Sequence, residues 1–379
     1  MISKEVTVSI TGDICPVNRV ESIISKRDFS SFDDAREVLL KQDLVLANLE
    51  CPLTRSKQRV NKIGPNLKGD PLTVDLLRYL NVKAVALANN HILDFGREGL
   101  SDTIKVLSDN KIEYLGAGSN LSEARKPLLK EINGTRICVM NFCEREFNAA
   151  SDSDAGANPF DLISVINEID AYRADSDFII LFYHGGIENY NLPSPEMFRN
   201  FHFLAGKGVD LIVCNHQHVF SGYQKTNGSH IFFGLGNFIF DWPSIRNKPW
   251  NYGMILNLTI RGKELKSFEL VPYEQCNDTP GVRIKQEISD LKLKELEVLN
   301  SMLSEDIILK EWGKFIAEKH LELTSDLFIQ NRYLRYLFKR TGLIDILITP
   351  EHRRRVYNYF NCLSLSEFAR DSLRSKMKA

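Results

Sequence analysis

Short apolar runs alternate with amphipathic segments from residue 5 to about residue 272. Eight runs have the length and the apolar content of strands, and they lie at 6–10, 44–50, 82–90, 136–142, 177–184, 210–216, 230–240 and 254–260. Five segments repeat their apolar residues with a helical period, at 31–41, 72–80, 97–109, 160–173 and 195–207. Alternating strands and helices are typical of a sheet covered by helices, so the pattern predicts an α/β fold. The later runs are separated only by turns such as 226–229, which predicts antiparallel hairpins there.

The pattern changes around residues 276–281, after which the periodicity is mainly helical. We therefore predict one domain over residues 1–275 and a helical C-terminal extension over residues 283–379. Residues 331–379 contain 11 Lys or Arg against 4 Asp or Glu, and aromatic residues are interspersed among the basic ones. The simplest interpretation is a helical subdomain with a solvated basic face. The alternative is a docking face for an anionic polymer, a lipid surface or an acidic protein partner.

Composition narrows the class of protein. With 43% apolar and 26% charged residues, the 379-residue chain has the balance of a soluble globular protein. A net charge of −1 gives no global field that would attract nucleic acid, and no apolar run is long enough to span a bilayer. The N-terminus lacks the apolar segment of a signal peptide, and the seven cysteines are scattered without a C-x-x-C pair. These features predict a cytoplasmic protein with reduced cysteines.

Polar side chains recur at the points where the predicted strands end. The set comprises Asp13, Asn48, Glu50, Asn90, His91, His184, His216, His218 and Asn237. Taken singly, each is more simply a helix cap, a turn former or a hydrogen-bonded core residue. The carboxyl ends of parallel strands, however, line a single crevice, so residues distant in sequence meet there. Carboxylates, carboxamides and imidazoles together suit zinc, manganese or iron, and the set therefore predicts a divalent metal site.

Seven longer blocks contain these strand-end residues or lie between them. They are TGDICPVNR (11–19), LANLECPLT (46–54), ALANNHILDFGREGL (86–100), GAGSNLSEARKP (116–127), YHGGIENY (183–190), NHQHVFSGYQ (215–224) and FFGLGNFIFD (232–241). In this order the blocks resemble the bacterial capsule-biosynthesis CapA family, the poly-γ-glutamate capsule proteins. That family has a fold similar to the calcineurin-like metallophosphoesterases. The resemblance implies an αββα sandwich of mixed sheets flanked by helices, and it leaves the helical tail outside.

The resemblance also implies roles for individual residues. Asp13 and His218 would bind a first metal, Glu50 would bridge two metals, and Asn90, His184 and His216 would bind the second. His91 would donate a proton to a leaving group. Asp94 either orients His91 or caps the helix that follows. Cys15 stands where the superfamily usually has a metal-binding histidine, and we interpret it as a packing residue, so one metal is as plausible as two.

The leading hypothesis is a metal-dependent hydrolase or transferase that acts on a phosphate ester or a related anionic linkage. It would work in capsule or surface-polymer biosynthesis. One alternative is a non-catalytic polymer-binding or assembly factor that retains the metal site and contacts capsule-synthesis proteins through its basic helical tail. Another is an enzyme that acts on γ-glutamyl amide linkages, although the chain has no G-x-x-x-x-G-K-[ST] loop for ATP.

Overall fold

The computed structural model describes residues 4–362 and 365–366. The chain divides into two compact units, residues 1–308 and residues 309–379. The described strands are β1 (Val6–Cys15), β2 (Leu44–Leu49), β3 (Ala84–Ala86), β4 (Glu113–Leu115), β5 (Ala117–Gly118), β6 (Leu128–Ile132), β7 (Thr135–Cys143), β8 (Gly156–Ala157), β9 (Phe178–His184), β10 (Leu211–Asn215), β11 (Tyr223–Thr226), β12 (Ser229–Phe232), β13 (Asn237–Phe240), β14 (Tyr252–Arg261), β15 (Glu264–Gln275) and β16 (Val282–Arg283).

The helices flank these strands and continue beyond them. They are α1 (Arg19–Lys26), α2 (Asp33–Leu39), α3 (Thr73–Tyr79), α4 (Gly96–Asp109), α5 (Leu121–Ala124), α6 (Leu162–Arg173), α7 (Pro195–Ala205), α8 (Gln286–Ser301), α9 (Glu305–Phe328), α10 (Arg332–Thr341), α11 (Ile344–Leu347) and α12 (Pro350–Asn361). Among the described residues, none of these helices is both long and apolar enough to cross a membrane.

Two mixed sheets form the centre of the first unit. The first sheet has the order β16-β15-β14-β1-β2-β3-β4, and β13 pairs with β1 beside that path. Its strands β1 to β4 are parallel, whereas β14, β15 and β16 are antiparallel additions. The second sheet has the order β11-β12-β10-β9-β7-β6, with a parallel centre and an antiparallel strand at each edge.

Strand β2 shows how the two sheets and the helices share the core. Leu44 and Leu46 pack into the apolar cluster that the second sheet also enters. Val45, Ala47 and Leu49 point the other way and pack into the cluster formed with the helices over the first sheet. Because successive strand residues face opposite sides, a strand buried on both faces is a continuous apolar run. The predicted αββα sandwich is confirmed.

The run 230–240, predicted as one strand, is two strands in different sheets. β12 belongs to the second sheet and β13 pairs with β1 in the first. The prediction was wrong because an apolar run does not reveal which sheet it joins, and Gly236 takes a positive φ of 76° that turns the chain. The predicted hairpin turn is present between β11 and β12, where Asn227 and Gly228 both have positive φ.

Gly12 allows the close approach of β1 and β13 that places Asp13. The backbone N–H of Asp13 donates to the carbonyl oxygen of Gly236 at 3.3 Å, and the β1–β2 register shifts at this point. A Cβ atom at residue 12 would lie 1.7 Å from that oxygen. Only glycine fits here, which explains the glycine of the TGD sequence.

The helices after β16 are divided between the two units. α8 belongs to the first unit, where the hydroxyl of Ser289 donates to the carbonyl of Pro272 and the Tyr223 N–H donates to the Asn300 side chain. In the second unit, α10 leaves the rings of Tyr333 and Tyr336 exposed. The predicted domain boundary at residue 283 and the polymer contact of the tail stay predictions, and positions 363–364 and 367–379 of that tail lie outside the described residues.

Candidate metal centre

The carboxyl ends of the central strands bring the predicted site residues to one edge of the sandwich. Asp13 lies near the end of β1, Glu50 follows β2, and His184 ends β9. His216 and His218 follow β10. The turn after β3 adds Asn90, His91 and Asp94. All eight side chains are buried except that of Asn90, which is partly exposed.

Glu50 occupies the middle of this group. Its Oε1 atom lies 3.6 Å from Nε2 of His184 and 3.7 Å from Nε2 of His218. The Oδ2 atom of Asp13 lies 3.5 Å from Nδ1 of His218. Neither carboxylate oxygen of Glu50 has a hydrogen-bond partner among the described residues, although the side chain is fully buried. A buried carboxylate without donors costs several kcal/mol, roughly, unless a cation compensates it.

Within the part of the chain that the structure describes, three overlapping sets of side chains place their donor atoms within 4.8 Å of one another. The first set is Asp13, Glu50 and His218, and the second is Glu50, His184 and His216. These two sets share Glu50, as expected of a bridging carboxylate. The third set joins the exposed Glu188 to His216 and His218. Asn90 adds its Oδ1 atom 3.1 Å from Nε2 of His184.

Two asparagines hold the donors in place. The amide nitrogen of Asn48 donates to Oδ1 of Asp13 at 2.7 Å and lies 3.1 Å from Nδ1 of His184, so it touches both sets. The side-chain oxygen of Asn237 lies 2.9 Å from Nδ1 of His218. Such contacts fix the orientation of a ligating ring. The sequence marked both asparagines as strand-end residues but gave no role to Asn48.

The backbone of the H-x-H segment is unusual. His216 has φ 93° and His218 has φ 61°, values that side-chain-bearing residues rarely adopt. The N–H of His216 donates to Oδ2 of Asp13 at 3.1 Å, which ties the segment to β1. Backbone conformations of this kind persist only where the surrounding structure maintains them, and they are concentrated at functional sites.

The electrostatic state of the donors suits a cation. Burial raises the pKa of Glu50, and the neighbouring Asp13 raises it further. Burial lowers the pKa of His184, and it lowers the pKa of His216 to about 3. These two imidazoles are therefore neutral and keep a lone pair for a metal. Oxygen and nitrogen donors mixed in this way suit manganese, iron or zinc, so the residues present fit a divalent metal.

Two residues from the first sequence block belong to none of the donor sets. Cys15 packs in an apolar cluster with Cys51, Phe240 and Trp250, and burial raises the pKa of its thiol. The thiolate that binds metals is therefore disfavoured at this position. Arg19 forms an ion pair with Asp241 at 2.7 Å and donates to backbone carbonyls at the end of β15, so its contacts are structural.

His91 lies beside the donors in a network of its own. Its Nδ1 atom is 2.7 Å from Oδ2 of Asp94, and that oxygen also accepts from the N–H of Leu67 at 2.7 Å. The helix α4 begins at Gly96 with Phe95 as its N-cap residue, so Asp94 contacts His91 and does not cap the helix. Lys62 completes the network with an ion pair to Asp94. The sequence missed Lys62 because its loop has no periodicity and matches no motif.

A cavity of about 480 Å³ opens over the centre. Its floor includes His91, His216 and His218, and Glu146 and Glu188 line it as well. The aromatic part of its wall consists of Phe240, Trp242 and Trp250. The Trp250 ring lies 4.4 Å from that of His218, so it packs against a candidate ligand.

Comparison with known proteins places the first unit in context. The profile of the family described as "Bacterial capsule synthesis protein PGA_cap" matches residues 7–242. The chain is 28% identical over 257 residues to "Capsule biosynthesis protein CapA" of Bacillus anthracis, which covers 65% of this chain and 62% of that protein. It is also 28% identical over 284 residues to "PGA biosynthesis protein CapA" of Bacillus subtilis, covering 73% of each. The chain therefore spans less than two thirds of the first of these relatives.

Solved structures that align with this chain share little sequence with it. A hypothetical protein from Thermus thermophilus aligns with 71% of this chain and 99% of its own, at 13% identity and a TM-score of 0.46. A 5'-nucleotidase from Candida albicans aligns with 79% of this chain and 58% of its own, at 13% identity and a TM-score of 0.40.

Proposed function

Because the chain belongs to the bacterial capsule synthesis protein PGA_cap family, we propose that it is a metal-dependent hydrolase or transferase for surface-polymer synthesis. Its substrate would be a phosphate ester or a related anionic linkage. The observation that carries the proposal is the Glu50 carboxylate, which is fully buried and accepts no hydrogen bond from the described residues. It lies among two buried histidines and the carboxylate of Asp13. That arrangement is unfavourable without a cation and favourable with one.

The residues that would hold the metal are the two sets that share Glu50. Asp13 and His218 would serve one position, and His184, His216 and Asn90 would serve the other. A bound divalent cation supplies a Lewis acid and neutralises negative charge on the group that is transferred. Because the donors come from five separate segments, the sandwich must be folded before they assemble.

His91 is the candidate proton donor. Its Nδ1 atom faces Asp94, which leaves Nε2 as the ring nitrogen available to a substrate in the cavity. In ester hydrolysis, water forms a bond to phosphorus while the bond to the leaving oxygen breaks, and that oxygen takes a proton from Nε2. The proton that the attacking water loses goes to solvent, from which His91 is protonated again. Burial lowers the pKa of His91, so its protonated form is a stronger acid than an ordinary imidazolium.

We expect the double variant His184→Ala/His216→Ala to lose the metal of one position and the ester hydrolysis together. Elemental analysis of purified protein should show metal content at or below roughly half of the wild-type value, since two ligands of one position are gone while Asp13, Glu50 and His218 remain for the other. Hydrolysis of phosphomonoesters and phosphodiesters should fall to background. The control is His202→Ala/His320→Ala, which removes two histidines outside the centre and should change neither result.

The two measurements separate the parts of the proposal. Wild-type protein that retains metal but cleaves no phosphate ester would reject the reaction and leave the metal centre standing. Metal content that is the same in the double variant and the wild type would reject the centre itself. The contact of the second unit with an anionic polymer or with synthesis proteins stays a prediction.

A further inference from the structure

The long loop between β2 and α3 is hydrogen-bonded to the turn that carries His91 and Asp94. The backbone N–H of Val60 donates to the carbonyl of Asp94 at 3.0 Å, and the Asn66 side chain donates to the same oxygen at 3.0 Å. The N–H of Leu67 donates to Oδ2 of Asp94 at 2.7 Å. The loop and the turn therefore form one structural unit at the edge of the cavity.

Lys62 is the residue of this loop whose charged group enters the network. Its side chain is only 7% exposed, and its Nζ atom lies 2.5 Å from Oδ1 of Asp94. The same atom lies 3.1 Å from Nδ1 of His91 and 5.1 Å from the centre of the Phe147 ring. A lysine is rarely buried without a specific charged partner, because removing an ammonium from water is costly.

The two oxygens of Asp94 have different partners. Oδ2 accepts hydrogen bonds from the N–H groups of His91 and Leu67. Oδ1 accepts no hydrogen bond from the described residues, and the Lys62 ammonium forms an ion pair with it. Asp94 is fully buried, so loss of Lys62 would leave an uncompensated charge on Oδ1. The carboxylate would then rotate or admit water, and the hydrogen bond to His91 would weaken.

We infer that Lys62 is a positioning residue that holds Asp94 in place and thereby fixes the His91 ring toward the cavity. The inference rests on the proposed function in one respect, namely that His91 gives its proton to the leaving group. In this role the Lys62 ammonium does not contact the reacting atoms, and it acts through Asp94. Loss of Lys62 should therefore lower the rate most strongly where protonation of the leaving group limits the reaction.

The test compares Lys62→Met with wild-type protein on two phosphate esters. A p-nitrophenolate leaves without a proton, whereas an alkoxide needs one. We expect kcat on an alkyl phosphate to fall by roughly 10- to 100-fold, part of the usual contribution of a general acid, with kcat on p-nitrophenyl phosphate nearly unchanged. The metal content should equal that of the wild type. Lys68→Met is the matched control, since Lys68 lies in the same loop but donates to the carbonyl of Ser56 outside the cavity.

A second measurement decides the inference without any activity. The Nδ1 proton of His91, assigned by its loss in His91→Gln, should give a slowly exchanging NMR signal in wild-type protein and in Lys68→Met. In Lys62→Met its exchange should be at least ten times faster, and Lys62→Arg, which keeps the charge, should restore part of the protection. An unchanged signal in a folded Lys62→Met protein, or no such signal in the wild type, overturns the inference. Absence of all ester hydrolysis together with a lost signal would reject the proposed reaction and keep the role of Lys62.

Discussion

Replacement of Glu50 by glutamine is expected to abolish tight metal binding. Glutamine has nearly the same size but one neutral oxygen and one N–H group, so it cannot offer two anionic oxygens to two positions. Because Glu50 belongs to both donor sets, this single change should weaken both positions. Elemental analysis should find less than roughly a tenth of the wild-type metal, and ester hydrolysis should be lost with it.

The melting temperature with and without metal provides a second test of Glu50→Gln. Metal at about 1,000 times its dissociation constant stabilises the folded state by about 4 kcal/mol. For a unit of 308 residues, an unfolding entropy of about 2.1 cal/mol/K per residue converts this into a rise of about 6 °C in the wild-type melting temperature. Glu50→Gln should show almost none of that rise. Without metal, the variant should melt no lower than the wild type, because burial penalises a carboxylate at this position and glutamine carries no charge.

The matched control for Glu50 is Glu168→Gln. Glu168 is a largely buried glutamate on α6 that lies near Arg125, and it belongs to none of the donor sets. Its variant should bind metal and gain thermal stability on metal addition as the wild type does. If Glu50→Gln retained its metal, the bridging role would be excluded.

Gly12→Ala is expected to destabilise the first unit severely. The added Cβ would lie 1.7 Å from the carbonyl oxygen of Gly236 and 2.9 Å from its carbon, and both atoms belong to the backbone of the neighbouring segment. Overpacking of side chains alone lowers the free energy of unfolding by roughly 1–3 kcal/mol. The clash here is with backbone atoms, which cannot rotate away, so we expect a loss at or above the upper end of that range. β1 and β13 would have to separate, which would displace Asp13 and Asn237 together.

Equilibrium denaturation of the full chain by urea provides the measurement. Gly12→Ala should lower the midpoint of the first unit or prevent recovery of folded protein, and any folded fraction should bind metal poorly. The contrast is Gly313→Ala in α9, where a Cβ meets no atom within 4 Å and alanine favours a helix by roughly 1 kcal/mol. That variant should be neutral or stabilising. If Gly12→Ala had the same urea midpoint as the wild type, β1 and β13 would not approach each other as closely as described.

Parallel topology explains why much of the site could be predicted from the sequence. Asp13, Glu50, His184 and His216 each follow an apolar run, and strands of one direction end at one edge whatever their order in the sheet. Lys62 could not be predicted in this way, because its position depends on tertiary contacts of an irregular loop with Asp94. The break inside the run 230–240 was missed for a related reason. Its residues suit any buried strand, and the choice between sheets is made by packing.

The role of Asp94 shows the same limit at the level of one side chain. Its place before an amphipathic helix suited an N-cap as well as a partner for His91. Only the structure, in which Phe95 occupies the cap position and Asp94 contacts His91 and Leu67, favours the second role. Local sequence therefore predicts which residue types are available, whereas the contacts of folded segments determine what each one does.

Anomalous diffraction from crystals grown with manganese tests the central claim most directly, because it locates the ion among named atoms. We expect a peak at the manganese edge within about 2 Å of donor atoms from Glu50, His184 and His216, and a second one near Asp13 and His218 if both positions fill. No peak at this edge of the sandwich at millimolar manganese, or a peak bound only by other residues, would contradict the account.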